Sequence, residues 1–169
     1  FGQVYMIASN VFWTRPQDYY DMAPWRGTWA LDGGCLCNQA AHYVDLVQWF
    51  GGAVESVQAF SATLARRIET EDTIVVNLRF RSGALGSINV TVLTYPKNLE
   101  GSITVLGQKG TVRIGGVALN KIEQWQFEDS HPMDEEAQNI SYETGSVYGF
   151  GHLDFYRHCM DVLDNGAEE

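Results

Sequence analysis

The segment Thr73-Ile-Val-Val-Asn-Leu-Arg-Phe80 alternates apolar side chains at even positions with Val75, Asn77 and Arg79. The segment Ala84-Leu-Gly-Ser-Ile-Asn-Val-Thr-Val-Leu93 alternates in a similar way, and Arg81-Ser-Gly83 lies between the two as a tight turn. A period of two places successive side chains on opposite faces of a strand, so each strand has one packed face and one more polar face. The pair predicts an antiparallel hairpin.

Further strand patterns lie on both sides of this hairpin. The predicted strands cover residues 2–13, Val54–Ala65, Leu99–Leu106, Thr111–Ile114 and Ala118–Phe127. Short strands joined by turns favour antiparallel pairing. We therefore expect one α+β domain over residues 1–169, with an open, predominantly antiparallel sheet of about six or seven strands and helices packed on one face.

Two segments have helical spacing. Apolar residues recur every three or four positions between Cys35 and Phe50, and Gly51-Gly52 follows as a stop signal. The opposite stripe of this helix consists of Asn38, His42, Asp45 and Trp49. A second helix is predicted over Gly151–Leu163.

The remaining segments read as loops. Residues from Thr14 to Gly34 combine prolines and glycines with tyrosines and tryptophans, and long loops of this kind usually bind something. The acidic stretch Glu128–Gly145 fits a solvated loop.

Composition excludes several classes of function. The chain has 11 Lys+Arg against 21 Asp+Glu, a formal net charge of −10, which argues against nucleic-acid binding because that requires clustered basic residues. No apolar run is long enough for a membrane helix, and no signal segment opens the chain. Three sparse cysteines do not form a disulfide framework and suit a reducing cytosol, so a cytoplasmic location is expected.

Asn38 and His42 form the best candidate constellation. At helical spacing an amide and an imidazole can point into one cleft, where the amide orients a hydroxyl group and the imidazole moves its proton. The alternative is a structural histidine that pairs with Asp45. The preceding Gly33-Gly34 favours a site, because glycine allows a ligand to approach the backbone closely.

Arg26 and His152 are candidates for substrate contacts, each with a structural alternative. A guanidinium group can make two parallel hydrogen bonds to a carboxylate or phosphate. Arg26 could instead stabilise its own loop by hydrogen bonds to backbone carbonyls. His152 could contact a ligand or cap the final helix.

Other chemistries lack their motifs. Cys35, Cys37 and His42 do not make a zinc site, since side chains two apart on a helix diverge and a fourth ligand is missing. The chain contains neither a Gly-x-Ser-x-Gly elbow nor a Gly-x-Gly-x-x-Gly dinucleotide loop. We therefore expect no metal and no cofactor-binding residue in this chain.

The run Trp25-Arg-Gly-Thr-Trp-Ala-Leu-Asp-Gly-Gly-Cys-Leu-Cys-Asn-Gln-Ala-Ala-His-Tyr-Val-Asp45 resembles the C-terminal domain signature of the glucose-fructose oxidoreductase and inositol dehydrogenase (Gfo/Idh/MocA) family. Later segments look like further landmarks of that domain in the same order, and the resemblance covers roughly residues 5–164. These landmarks are Glu69-Thr-Glu-Asp72-Thr, Phe80-Arg-Ser-Gly-Ala-Leu-Gly86, Leu106-Gly-Gln-Lys-Gly-Thr-Val112 and Gly151-His-Leu-Asp-Phe-Tyr156.

The Asn-Gln-x-x-His form at Asn38–His42, where many members carry Asp, looks most like UDP-N-acetylglucosaminuronate 3-dehydrogenases of lipopolysaccharide and surface-polysaccharide biosynthesis. The stretch Asp18–Trp29 before it points the same way, whereas Cys35 replaces the commoner third glycine. The resemblance implies an oxidoreductase that uses NAD or NADP on an upstream Rossmann domain and oxidises a sugar hydroxyl. A start at Phe1 and an end in Asp164–Glu169 fit a piece of a longer protein, inactive alone.

The resemblance also implies roles for individual residues. His42 would be the acid/base or polarising group, Asn38 would position the hydroxyl, and Arg26 with Thr28 would bind anionic groups of a UDP-sugar. The open sheet face would form a homo-oligomer, in agreement with apolar side chains expected there at Val75, Val90 and Val92. A non-catalytic sugar-binding or oligomerisation module is the alternative. The exact sugar stays open.

Overall fold

Seven strands form one open sheet in the computed structural model, which describes residues 1–145 and 148–166 apart from the side chain of Gln138. Part of the expected C-terminal segment, residues 167–169, lies outside the described residues. The strands are β1 (Val4–Phe12), β2 (Val54–Ala62), β3 (Thr73–Phe80), β4 (Leu85–Thr91), β5 (Glu100–Gly107), β6 (Gly110–Gly115) and β7 (Lys121–Phe127). Their order across the sheet is β2-β3-β4-β1-β5-β6-β7.

The sheet is predominantly antiparallel, as the sequence predicts. β1 pairs in parallel with β4, and the other neighbouring strands are antiparallel. In the predicted hairpin, Thr73 on β3 lies opposite Thr91 on β4, and the turn is closed by a 2.9 Å hydrogen bond from the Gly83 N–H to the Phe80 carbonyl. The α+β fold class is therefore confirmed.

In the described part of the chain, five helices accompany the sheet: α1 (Gln17–Asp21), α2 (Gly34–Cys37), α3 (Ala41–Gly51), α4 (Asp134–Asn139) and α5 (Gly151–Asn165). α1 lies within the predicted aromatic loop. α4 interrupts the stretch that was expected to be a solvated loop, because Ala137 is buried and the Trp125 indole N–H donates a 2.9 Å hydrogen bond to Asp134. None of the helices in the described part of the chain is long and apolar enough to cross a membrane.

The core lies between α3 and the central strands. Tyr43 and Val47 on α3 are buried and belong to one apolar cluster with side chains from one face of the sheet. The alternation along β3 is confirmed, since Ile74, Val76, Leu78 and Phe80 are buried while Val75, Asn77 and Arg79 are exposed. α3 thereby places its first turn at the edge of this core.

The single helix predicted from Cys35 to Phe50 is wrong: α2 and α3 are separate helices. The Ala40 N–H donates to the carbonyl of Cys35, five residues back, instead of to that of Leu36. Asn38 ends α2 and uses its side chain for local hydrogen bonds, which compete with a regular helix. Asn38 and His42 therefore do not lie on one continuous helix.

Two expectations about packing are also wrong. α5 has no buried residue, so its apolar stripe does not cover the sheet. Val90 and Val92 were expected on the open face but are buried on the packed face, because they lie two and four residues after the buried Ile88 of β4. Of the three valines, only Val75 is exposed on the open face.

The open face carries a polar network on the strands between β1 and the β7 edge. One oxygen of the Glu100 carboxylate accepts hydrogen bonds from Asn10 at 3.1 Å, Ser102 at 2.5 Å and Arg113 at 2.9 Å, and Arg113 also pairs with Glu123 at 2.6 Å. Burial alone would raise the pKa of Glu100, but these hydrogen bonds hold it below its ordinary value. The network joins four adjacent strands, from β1 to β7.

Candidate functional site

A cavity of about 660 Å³ lies beside the first turn of α3. Four of the five predicted site residues line it: Arg26, Asn38, His42 and His152. The other lining residues are Trp13, Arg15, Tyr19, Trp25, Gln39, Tyr43, Val117, Ala118, Leu119 and Tyr148. Thr28 is not part of this lining, and its hydroxyl donates a 2.7 Å hydrogen bond to the Trp25 carbonyl.

Arg26 is held by contacts within its own loop. Its Nη1 donates a 2.7 Å hydrogen bond to the Tyr19 carbonyl, and its guanidinium carbon lies 4.1 Å from the centroid of the Tyr19 ring. The loop-pinning alternative is thus realised, yet the same side chain lines the cavity. The Arg26 Nε is buried and has no hydrogen-bond partner among the described residues. The two contacts with Tyr19 therefore hold the side chain in place before any ligand binds.

Arg15 is a second cation in the cavity wall that the sequence reading missed. Its guanidinium carbon lies 5.1 Å from the Trp13 ring centroid and 5.4 Å from that of Tyr19. Its backbone carbonyl accepts a 2.7 Å hydrogen bond from Arg66 Nε. The two arginines are eleven positions apart, and the fold of the loop brings both to the Tyr19 ring. The aromatic residues near Arg15 in sequence were the feature that could have indicated its role.

Asn38 lies at the end of α2 and is bound on both sides. Its amide nitrogen donates to the Asp32 carboxylate, and its amide oxygen accepts a 3.1 Å hydrogen bond from Gln39 Nε2. The second oxygen of Asp32 accepts a 2.7 Å hydrogen bond from the Gly27 N–H. Asn38 and the loop that carries Arg26 are therefore connected through one carboxylate.

His42 is exposed at the cavity, in the first turn of α3. In the described ranges no hydrogen bond or ion pair joins it to Asp45, which is also exposed. The next residue, Tyr43, is buried, and burial raises the pKa of its hydroxyl to about 12. The imidazole is thus free to meet a ligand while its neighbour anchors the helix.

His152 reaches the cavity from α5. It is the second residue of that helix, while Phe150 occupies the capping position, so the proposed cap role for His152 is wrong. Its ring lies 6.4 Å from the ring of Tyr148, centroid to centroid, and both rings line the cavity.

The segment that carries Asn38 is supported from beneath by Glu71. The buried Glu71 carboxylate accepts a 3.0 Å hydrogen bond from the Leu36 N–H, and its backbone carbonyl accepts one from the Cys35 N–H at 3.3 Å. Burial, and next the adjacent Glu71 carboxylate, raise the pKa of the Cys35 thiol. A side chain at Gly34 would collide with this carboxylate, since a Cβ there would lie 2.0 Å from Glu71 Oε2.

The charge of the cavity differs in sign from that of the chain. Among the described residues, two arginines and two histidines line it and no aspartate or glutamate does, although the chain as a whole has a net charge of −10. A wall of this kind favours an anionic ligand, and an imidazole within the same wall can accept a proton from it. In the part of the chain that is described, no three His, Cys, Asp or Glu side chains cluster as a metal site would require.

Comparisons with known structures agree with this geometry. The chain is similar to the WlbA dehydrogenase from Bordetella pertussis, solved with NADH and UDP-GlcNAcA, at 61% identity and a TM-score of 0.92, over 99% of this chain and 49% of that one. It is also similar to WlbA from Chromobacterium violaceum, solved with the same two ligands, at 59% identity and a TM-score of 0.88, over 99% and 46%. No curated protein sequence gives a significant match.

More distant structures share the fold alone. An NAD binding oxidoreductase from Klebsiella pneumoniae is 19% identical, with a TM-score of 0.71 over 99% of this chain and 51% of its own. The chain spans about half the length of each of these structures. The sequence model of the GFO/IDH/MocA C-terminal domain matches residues 1–113, and the chain belongs to that family.

Proposed function

We propose that residues 1–169 are the substrate-binding and oligomerisation domain of an NAD(P)-dependent dehydrogenase. The substrate is a UDP-N-acetylated hexuronic acid, oxidised at its 3-hydroxyl in the cytoplasm during lipopolysaccharide or surface-polysaccharide biosynthesis. The observation that carries this proposal is the cavity that groups His42, Asn38 and Arg26, with no carboxylate among the described residues that line it. The two WlbA structures, solved with UDP-GlcNAcA and NADH, support the choice of substrate.

The charge of the cavity fits such a substrate. A UDP-linked uronic acid carries a carboxylate and a diphosphate, and guanidinium groups bind both well. Arg26 and Arg15 are held by aromatic rings at the cavity, so little side-chain entropy is lost when they meet an anion. We assign Arg26 to an anionic group of the substrate and add Arg15 as a second cation. Thr28 lies outside the lining and would act by stabilising the loop that carries Arg26, through its hydrogen bond to the Trp25 carbonyl.

His42 and Asn38 act on the hydroxyl. As carbon 3 is oxidised to a ketone, the hydroxyl proton must leave, and the exposed His42 imidazole can accept it. Asn38 retains one amide N–H beyond its bond to Asp32, which can hydrogen-bond to the same oxygen. His152 also lines the cavity, and we assign it to the sugar or its N-acetyl group.

NAD(P), when bound, accepts a hydride from the sugar carbon. The sequence has no Gly-x-Gly-x-x-Gly loop, and the segment that leaves β1 carries Trp13 and Pro16 in place of a glycine-rich turn into a helix, so these residues do not fit the diphosphate of such a cofactor. A Rossmann domain outside this chain would hold it, in keeping with relatives about twice as long. The exposed apolar side chains of α5, such as Leu153 and Met160, are suited to contact with that part of the protein.

The open sheet face is the proposed contact between subunits. Met6, Leu85 and Leu106 lie side by side on β1, β4 and β5 and are exposed, and Phe60 and Val75 lie opposite each other on β2 and β3. A second copy would cover these apolar side chains on both partners at once.

The test uses the full-length protein with NAD or NADP and a matched pair of substrates, UDP-GlcNAcA and UDP-GlcNAc, while the absorbance of reduced nicotinamide is followed. The two substrates differ only at carbon 6, which is a carboxylate in the acid and a hydroxymethyl group in the neutral sugar. We expect turnover of the acid with a kcat/KM at least tenfold above that of the neutral sugar, because a guanidinium–carboxylate bond is lost with the latter. No reduced nicotinamide with any UDP-sugar would favour the non-catalytic binding module instead.

A further inference from the structure

Asp32 connects the two parts of the site that would meet the substrate. One carboxylate oxygen accepts a 2.7 Å hydrogen bond from the N–H of Gly27, the residue after Arg26. The other accepts a hydrogen bond from the side-chain amide of Asn38. Asp32 itself does not line the cavity, whereas Arg26 and Asn38 do. One carboxylate thus determines the relative position of a cation and an amide in the cavity wall.

The same carboxylate determines which way the Asn38 amide faces. An ionised carboxylate can only accept hydrogen bonds, so the amide nitrogen and not the amide oxygen must face Asp32. On the other side Gln39, only 6% exposed, donates from Nε2 to the Asn38 oxygen at 3.1 Å. Asp32 requires this orientation and would oppose a flipped Asn38 amide, while Gln39, whose Oε1 has no partner among the described residues, adds a hydrogen bond that agrees with it. One N–H of the Asn38 nitrogen is left for a ligand.

We propose that Asp32 is a positioning residue that presents Asn38 to the cavity as a hydrogen-bond donor; this rests on the function proposed above. A sugar hydroxyl oxygen can then accept from the Asn38 N–H while its proton is directed to His42. An aspartate at position 38 could not take this role beside Asp32. Two carboxylates at hydrogen-bonding distance cannot both remain ionised, and one would hold a proton.

The pairing can be exchanged without loss of its hydrogen bonds. In the double variant Asp32→Asn/Asn38→Asp, the new amide at position 32 accepts from the Gly27 N–H and donates to the new carboxylate at position 38. Gln39 can still donate to that carboxylate. The exchange therefore keeps the local structure but presents an acceptor to the cavity in place of a donor.

The experiment uses the full-length enzyme as wild type, Asp32→Asn, Asn38→Asp and the double variant. The melting temperature, NAD affinity and the KM and kcat for UDP-GlcNAcA are measured between pH 5 and pH 9. We expect Asp32→Asn to raise KM about tenfold and to change kcat less, because the Asn38 amide is no longer held in one orientation. Asn38→Asp should bind substrate more weakly as pH rises, while the double variant regains the melting temperature but not the KM.

Asp18→Asn makes the same change at an exposed carboxylate on α1 and should leave all four quantities unchanged. A double variant with both melting temperature and KM of the wild type would reduce Asp32 to a structural role and overturn the proposal, as would an unchanged KM in Asp32→Asn. A wild-type enzyme that does not oxidise UDP-GlcNAcA is a different result: it contradicts the proposed function itself and is seen before any variant is compared.

Discussion

Arg26 is fixed to Tyr19 by two contacts, a 4.1 Å approach of its guanidinium carbon to the ring centroid and a 2.7 Å hydrogen bond to the backbone carbonyl. Arg15 approaches the same ring at 5.4 Å. One aromatic side chain therefore holds two like charges in a single cavity wall, where the negative face of the ring offsets part of their repulsion.

We expect replacement of Tyr19 by leucine to weaken binding of UDP-GlcNAcA. Loss of the ring removes the cation–π contacts with Arg26 and Arg15, each worth about 0.5–2 kcal/mol, so KM should rise about 2- to 30-fold. Tyr19→Phe keeps the ring and serves as the matched control. Steady-state kinetics on the full-length enzyme decide the point; equal KM values for Tyr19→Leu and Tyr19→Phe would contradict it.

His42→Ala should lower kcat by about 100- to 10,000-fold with a smaller change in KM, because a general base acts mainly in the transition state. Its melting temperature should remain that of the wild type, since His42 is exposed.

Asp45→Asn tests the structural alternative for His42. Because no described bond joins the two side chains, this variant should keep both kcat and stability. A lower melting temperature of His42→Ala with normal turnover per folded molecule would show that the histidine is structural and would remove it from the site.

Gly34→Ala should destabilise the protein more than Gly83→Ala does. The two glycines have nearly the same backbone conformation, with φ of +86° and +88°, so the strain of adding a side chain is matched, at about 1–2 kcal/mol. At Gly83 a Cβ meets nothing within 4 Å, whereas at Gly34 it would displace the Glu71 carboxylate from the Leu36 N–H. The additional cost should be about 1.5–3 kcal/mol, measured by denaturant unfolding.

Equal losses in the two glycine variants would mean that Glu71 adjusts freely and does not support the segment before Asn38. A fall in substrate affinity in Gly34→Ala alone would agree with that support.

Local patterns were sufficient to predict most of the sheet. β3 occupies the predicted residues Thr73–Phe80 because its alternation coincides with burial on one face. The packing of α5 could not be predicted. An apolar stripe indicates that one side of a helix is covered, but it does not identify the surface that covers it. β2 shows the same limit: it is exposed at almost every position, on both faces, because it is the edge strand of the sheet.

The sequence predicts site residues that lie in or beside a recognisable motif, but it does not predict the contacts between distant segments. Arg26, Asn38 and His42 come from one motif-bearing stretch. Asp32 belongs to the same stretch, but its role depends on which side chains its two oxygens meet after α2 breaks from α3. His152, also a candidate from the sequence, reaches the cavity from α5, and Arg15 reaches it from the loop after β1; that the two side chains line one cavity depends on long-range topology.

The proposed subunit contact is tested by a pair of matched variants on the sheet. Val75 lies on the open face opposite Phe60, and Val57 lies on the other face of the adjacent strand, paired with Leu78. Val75→Glu should reduce the sedimentation coefficient of the full-length protein, because it places a charge in an apolar contact. Val57→Glu should leave it unchanged. If both variants sediment as the wild type does, the open face is not the contact.

Asp72 makes the stability of the protein depend on pH. Its carboxylate is fully buried and accepts hydrogen bonds of 2.9–3.0 Å from the N–H groups of Leu64, Ala65 and Arg66. Burial alone would raise its pKa, but these hydrogen bonds hold the pKa below its ordinary value. The stabilisation is therefore present above the pKa of the unfolded chain and is lost as pH falls through the folded pKa.

In Asp72→Asn the amide oxygen can take the place of Oδ2 and accept from all three N–H groups, but the amide nitrogen then faces the Leu64 N–H from the position of Oδ1, and the bonds lose their ionic character. We therefore expect a loss of about 2 kcal/mol in unfolding free energy at pH 7. The difference from the wild type should shrink as pH falls below the ordinary pKa of an aspartate, because the Asp72 carboxyl of the unfolded wild-type chain then takes up a proton, and the variant's own profile should be flatter over that interval. Denaturant unfolding from pH 7 to pH 3 measures both quantities, with Asp18→Asn at an exposed position as the control. Parallel profiles for wild type and Asp72→Asn would show that the carboxylate charge does not stabilise this loop. The position of Arg66, which donates to the Arg15 carbonyl, would then not depend on that charge.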